Sequence, residues 1–259
     1  MILECQDLSV GFPGRSLCRG LSLEIRPGQC WGVLGLNGSG KTTVLHTLGG
    51  LRVPQGGALR LGGRALGSCA PRERARALGV LLQDEPQAFW GSLQEYVLLG
   101  RHPHARSLFG WEAADLERAE AALERVDLAG LSERPLATLS GGERQRARLA
   151  QLLAQDPAVC LLDEPLQHLD LRHQLEAMQV LRGLSEEPGR SVALVLHDTL
   201  WASRFCDHLL LLLGDGEALA GPTGELLSRE NLERVFRCRL QEYGSGSARH
   251  FLPGDASRV

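Results

Sequence analysis

Two runs in this chain carry residue types whose spacing could act on phosphates. The first, Gly35-Leu36-Asn37-Gly38-Ser39-Gly40-Lys41-Thr42, fits G-x-x-x-x-G-K-[ST]. Its glycines let the backbone turn successive N–H groups onto a polyanion. A helix opening near Gly40 would add its positive dipole end and its unpaired donors. Lys41 can reach the β- and γ-phosphates as a point charge, and the Thr42 hydroxyl can ligate Mg²⁺. Lys41 is also the only lysine; every other member of the 28 Lys and Arg is arginine. A chain that favours the planar arginine fork keeps its one compact ammonium for the phosphate loop. The second run, Leu139-Ser140-Gly141-Gly142-Glu143-Arg144-Gln145, reads as a helix-capping box, with Ser140 and Glu143 three residues apart. Two glycines at that helix start also allow a phosphate to approach the backbone closely.

These runs need strands and helices to hold them. Cys30-Trp31-Gly32-Val33-Leu34 is a short apolar run ending at the phosphate loop, and 43–48 continues as a helix, which gives strand, loop, helix. Val159-Cys160-Leu161-Leu162 leads to Asp163, 78–82 leads to Gln83, and 192–196 leads to His197. Such continuous apolar runs suit parallel strands covered on both faces. Residues 2–26 alternate around Gly11-Phe12-Pro13-Gly14, and 51–67 repeat that style, so antiparallel hairpins are expected there. Helices are expected over 71–77, over 111–126 with Leu116, Ala119, Leu123 and Val126 on one face, over 139–155 and over 171–183. The fold class is therefore α/β. It has a phosphate-loop core with a parallel sheet, an N-terminal antiparallel β layer and an inserted α-helical subdomain at about 91–155. A single domain spans 1–241, and the short tail 242–259, with Gly244-Ser245-Gly246-Ser247, reads as loosely ordered.

Composition narrows the partners. A formal net charge of −3 argues against a nucleic-acid binder driven by bulk electrostatics. Seven cysteines, at 5, 18, 30, 69, 160, 206 and 238, include no C-x-x-C pair and read as reduced packing residues. The N-terminus lacks the charged and apolar segments of a signal peptide. No pure apolar run is longer than 209–213, which is strand-sized, so any action at a membrane is expected to pass through a partner.

Read together, the two glycine-bearing runs resemble the ATP-binding cassette (ABC) ATPases, whose signature sequence 139–145 matches. A GTPase or small-molecule kinase shares the first motif without the second. The resemblance runs from Leu3 to about Leu240 and implies the ABC ATPase fold, with ATP and Mg²⁺ as ligands. It also implies a head-to-tail homodimer, in which Ser140, Gly141, Gly142 and Glu143 of one subunit close over ATP held by the other. The nucleotide contacts are then Phe12, stacked on adenine where tyrosine is commoner, with Asn37, Gly38, Ser39, Gly40, Lys41, Thr42 and Thr43. In the Walker B strand, Asp163 would join Thr42 and Gln83 at Mg²⁺, and Glu164 would polarise the attacking water as general base. His197 matches the histidine that contacts the γ-phosphate, and Lys41 completes the catalytic set. Asp170 belongs to the loop that crosses to the partner subunit, where Leu166-Gln167 replaces a small polar pair. Taken singly, Gln83 and His197 also read as polar caps of strand ends, and Phe12 as a turn or core residue.

A finer resemblance lies in Glu95-Tyr96-Val97-Leu98-Leu99-Gly100-Arg101-His102-Pro103-His104, in Asp170-Leu171-Arg172-His173-Gln174 and in Leu232-Glu233-Arg234-Val235-Phe236. These are similar to ATPases of bacterial importers for iron–siderophore, heme and cobalamin. The implied partners are two integral-membrane permease subunits and, indirectly, a periplasmic or extracellular substrate-binding protein, with no nucleic acid. The implied place is the cytoplasmic face of the bacterial inner membrane, held peripherally. Another importer class, an exporter, or an ATPase acting on DNA or the ribosome stand as alternatives. The chain departs from the importer group at Asp84-Glu85-Pro86 and at Asp198-Thr199-Leu200. Gln87-Ala88-Phe89-Trp90 reads either as a permease contact or as a small satellite core. Arg144, Arg146 and Arg148 read as a solvated basic face, and His102 with His104 as family sequence rather than a ligand pair.

Overall fold

The structure is a computed structural model, and it describes residues 1–83, 89–106, 110–244 and 249–254. The chain opens with β1 (Leu3–Phe12), β2 (Arg15–Ile25), β3 (Cys30–Gly35) and α1 (Lys41–Leu48). Next come β4 (Gly56–Leu61), β5 (Arg64–Ala65), α2 (Pro71–Ala77) and β6 (Leu78–Leu81). Three helices follow: α3 (Leu93–Leu98), α4 (Ala113–Arg125) and α5 (Gly141–Gln155). Then β7 (Val159–Leu162), α6 (Leu171–Glu186), β8 (Ser191–Val195), α7 (Thr199–Phe205), β9 (His208–Leu212) and β10 (Ala218–Pro222) complete a second sheet. The chain ends in α8 (Thr223–Leu226), α9 (Arg229–Phe236), β11 (Leu240–Tyr243) and β12 (His250–Pro253).

The apolar runs become the centre of a six-stranded sheet in the order β10-β9-β3-β8-β7-β6, parallel except for β10. Every residue of β3, β7 and β8 is buried. The reason is period two: successive side chains point to opposite faces, and each face meets its own core. Cys30, Leu34, Cys160, Leu162, Val192, Leu194, Leu209 and Leu211 join the helices in one cluster. Trp31, Val33, Val159, Leu161, Ala193, Val195, Leu210 and Leu212 join α1 and the antiparallel strands in the other. That second layer, ordered β2-β1-β4-β5, forms from the alternating segments, whose apolar residues turn inward. The strand ends that carry Gly35, Asp163 and His197 therefore emerge side by side, because β8 lies between β3 and β7.

Three expectations change. In α4 the buried face holds Asp115, Ala119, Ala122 and Leu123, while Leu116 is 41% exposed. The buried Arg101 guanidinium explains the rotation: its Nε donates to Asp115 Oδ1 at 2.9 Å, and a charge removed from water must be paired. The basic face of α5 is not simply solvated. Arg146 Nη1 donates to the Val126 and Asp127 carbonyls at 2.9 and 3.0 Å, and Arg148 donates to Leu82 and Gln83. The end of the chain is not loosely ordered over 250–253. It pairs antiparallel with β11 and buries Phe251 in the helical core, and an apolar side chain with a core to reach outweighs a Gly/Ser linker. No helix among the described residues is long and apolar enough to cross a membrane.

Candidate active site

β3 delivers the chain to the phosphate loop, where Gly38 and Gly40 take φ of 77° and 103°. Glycine takes such values without steric cost, and a Cβ on Gly40 would also lie 2.9 Å from Leu17. α1 starts at Lys41 with no side chain capping its first turn, so its leading N–H groups remain for an anion. Phe12, Asn37, Gly38, Gly40, Lys41, Thr42, Thr43, Gln83, Glu164 and His197 all line one cleft of ≈ 690 Å³, together with Arg15, Leu17 and Gln167. Of the expected phosphate-loop contacts, Ser39 alone is outside that lining; it is buried, and its Oγ has no partner.

Lys41 is 6% exposed, and its ammonium donates to the Gly35 and Leu36 carbonyls at 2.9 and 3.1 Å. Burial pulls its pKa down, while Glu164 and Asp163 oppose that pull. Asp163, fully buried, is fixed by its N–H donating to the Leu81 carbonyl at 2.8 Å. Burial raises its carboxyl pKa above the usual carboxylate value, a rise that the adjacent Thr42 hydroxyl only partly offsets. Neither carboxylate oxygen has a hydrogen-bond partner, and the His46 Nε2 stands 3.7 Å from Oδ2. A fully buried carboxylate with two unpartnered oxygens beside a threonine hydroxyl suits a hard cation with oxygen ligands.

Glu164 follows in the left-handed region, at φ 51°, which swings its side chain away from the strand and into the cleft. His197 Nε2 lies 2.7 Å from its Oε1. Gln83 Nε2 donates to Oε2 at 3.2 Å, and the Gln167 amide donates to the same oxygen. Phe12, 42% exposed, has the Arg52 guanidinium 4.6 Å from its ring centre. Arg15 donates to the Gly38 carbonyl at 2.8 Å.

Ser140, Gly141, Gly142, Glu143 and Asp170 do not line the cleft. Ser140 caps α5: its Oγ accepts from the Glu143 N–H at 3.2 Å, and Glu143 Oε2 accepts from the Ser140 N–H at 2.7 Å. That N–H, foremost, lowers the Glu143 pKa. Asp170 caps α6, accepting from the His173 N–H at 2.9 Å. The two exposed caps are neighbours, since His168 stands against Gly141. Internal bonds join α5 to the cleft. Gln145 donates to the Pro165 carbonyl at 2.9 Å, and Arg148 donates to the Gln83 carbonyl at 3.1 Å.

Sequence reasoning missed Arg15, Arg148 and the contact made by Gln167. The first two bond to carbonyls, which carry no sequence signal, and the third was visible only as a departure at Leu166-Gln167. Of the aromatic pair, Phe89 packs edge-on to Tyr96, 5.6 Å between ring centres, and Trp90 is 95% exposed. Phe89 thus packs against the helical core, and the exposure of Trp90 does not decide between the two readings. Gln87, Ala88 and the acidic run Asp84-Glu85-Pro86 lie outside the described residues. His104 Nε2 donates to the Gln155 carbonyl at 2.9 Å, while His102 is exposed; no cluster of three or more His, Cys, Asp or Glu among the described residues could hold a metal.

Comparison with known proteins agrees with this cleft. Residues 18–167, more than half of the chain, match the family described as ABC transporter. The hemin import ATP-binding protein HmuV of Rhizobium meliloti (strain 1021) is 38% identical over 249 residues, covering 93% of this chain and 93% of that protein. The ferric enterobactin transport ATP-binding protein FepC of Escherichia coli (strain K12) is 35% identical over 240 residues, covering 92% of this chain and 89% of that one. Among solved structures, an ATP-binding cassette in a dimeric post-hydrolysis state with ADP and Pi is similar with a TM-score of 0.74. It is 26% identical and covers 85% of this chain and 98% of that one. The chain belongs to the ABC transporter family and is its ATP-binding, ATP-hydrolysing subunit.

Proposed function

We propose that this subunit energises uptake of an iron–siderophore, heme or cobalamin-type substrate, as a homodimer docked peripherally on two membrane permease subunits at the cytoplasmic face. A substrate-binding protein outside the membrane would act through those permeases. The substrate class is supported by the printed roles of the relatives, hemin import and ferric enterobactin transport. The observation that carries the hydrolytic reading is Glu164, held at the end of β7 inside the phosphate-loop cleft by His197 and two glutamine amides.

In this reading Phe12 stacks on adenine, and 37–43 receive the phosphates through backbone N–H groups, with Lys41 on the β- and γ-phosphates. Thr42, Asp163 and Gln83 would hold Mg²⁺, which when bound neutralises charge on the phosphate oxygens. Glu164 orients the attacking water and takes its proton, and His197 turns from Glu164 to the γ-phosphate. The Ser140 helix start of the partner copy closes the site, its glycines admitting the phosphate to the α5 N-terminus. Closing two such sites, then reopening them after hydrolysis, drives the permeases.

The test is Glu164→Gln, assayed for turnover and for assembly. Turnover should fall by about 10²-fold or more while ATP still binds and a stable ATP-bound dimer accumulates on gel filtration. Turnover close to that of the unaltered protein would remove Glu164 from the role. The same variant, tagged and recovered from membranes, should bring down a many-helix permease. Recovery with ribosomes or DNA instead would overturn the transport reading.

A further inference from the structure

We propose that Gln167 is a positioning residue for Glu164, tying the carboxylate to the loop that runs on to Asp170. This rests on the reading of Glu164 as the base. Glu164 opens a turn that the Gln167 N–H closes on the Glu164 carbonyl at 3.2 Å. The Gln167 side chain then folds back over the same turn, and its amide donates to Glu164 Oε2. Residue 167 therefore grips residue 164 twice, once by backbone and once by side chain.

Three donors reach this carboxylate, and they differ in what else they must do. Gln83 is the residue expected at the metal, and His197 the one expected at the γ-phosphate; each must leave Glu164 to act there. Gln167 has no second task in that scheme, so its amide is the donor that stays through the reaction. A carboxylate has about four acceptor positions. Oε2 pinned by Gln167 leaves Oε1, once His197 turns away, to receive the water proton.

The turn that carries Gln167 is itself anchored from two helices. Gln145 on α5 donates to the Pro165 carbonyl at 2.9 Å, and Gln174 on α6 donates to the Leu169 carbonyl at 3.0 Å. The orientation of Glu164 is thereby referred to a loop whose far end, Asp170, is exposed beside the start of the signature helix. A serine at 167 would end well short of Oε2, so this link belongs to the Leu166-Gln167 departure and not to a small polar pair.

Gln167→Met tests the donor directly, because it keeps the length and loses the amide; Gln167→Ala is the companion. Both should lower kcat about three- to tenfold with KM for ATP unchanged, and Gln167→Met should melt at the temperature of the unaltered protein. In a Glu164→Gln background, measured by single turnover, Gln167→Met should change nothing further. Unchanged or raised kcat in Gln167→Met would overturn the proposal, as would an equal fall on the Glu164→Gln background. Normal turnover in Glu164→Gln alone would instead remove the reading on which it rests.

Discussion

The phosphate loop and the start of α5 are built from the same parts, glycines leading into a helix N-terminus, yet they are finished in opposite ways. At the loop the functional side chains are drawn inward. Lys41 and Asp163 are buried, and Glu164 is tied to three neighbours. At α5 the capping box is complete, Ser140 and Gly141 are exposed, and no residue of that turn lines the cleft. An anion at the loop would meet the Lys41 ammonium beside the Asp163 and Glu164 carboxylates, whereas an anion at α5 would meet only N–H groups and a helix dipole. On the proposed reading, the first region is a reaction centre lacking a wall, and the second is a wall lacking a reaction centre. Arg148 and Gln145 join them within one chain, through the Gln83 and Pro165 carbonyls.

The largest effect should come from emptying the inward region. Lys41→Ala removes the one ammonium of the cleft, and turnover at saturating Mg·ATP should fall by about 10²- to 10³-fold. Circular dichroism should stay that of the folded protein, because the alanine opens the Gly35 and Leu36 carbonyls to cleft water in place of the lost ammonium. Normal hydrolysis by this variant would refute the inward half of the comparison.

A smaller loss should come from the outward region. A Cβ on Gly141 would meet His168 at 3.7 Å, an ordinary contact, so Gly141→Ala leaves the fold intact. A methyl group there narrows the approach to the α5 N–H groups, and turnover should drop about tenfold while each protomer binds ATP as before. Mixing sharpens the point. Lys41→Ala and Gly141→Ala protomers together should regain turnover that neither shows alone, because one of the two shared sites is then intact in both halves. Failure to complement would mean that both regions serve the same protomer.

Much of the inward region was legible in the sequence, because it is local. A strand, a glycine-rich loop and a helix occupy consecutive residues, and the acids of β7 follow an apolar run that only a doubly covered strand explains. The burial of every central strand residue follows from the same pattern. What the sequence did not disclose is long-range. Arg148 reaches the carbonyl of a residue 65 positions away. Asp115 displaces Leu116 from the buried face because Arg101, 14 residues earlier, needs a partner. The apolar reach of Phe251 into the core is hidden behind a Gly/Ser linker. Backbone carbonyls and turned helices leave no mark in residue spacing, so these links had to be seen in three dimensions.

The smallest effect lies at Asp170, where a structural and an intersubunit role coincide and can be separated. Its carboxylate caps α6 by accepting from the His173 N–H, and that bond, foremost, lowers its pKa below the usual 3.8. A lowered folded-state pKa contributes stability that is complete above the unfolded value and lost as the pH falls through the folded one. The cap is therefore whole at neutral pH and weakens only below about 4. Asp170→Asn keeps an equally good cap and removes the charge, whereas Asp170→Ala removes both. Asp170→Asn should accordingly melt like the unaltered protein at pH 7, and its melting temperature should also change less between pH 5 and pH 3. If Asp170 crosses to a second copy, Asp170→Asn should still lose several-fold in turnover with ATP binding by the protomer unchanged. Turnover equal to that of the unaltered protein would reduce Asp170 to its cap and leave Ser140 and the two glycines as the whole of the outward half.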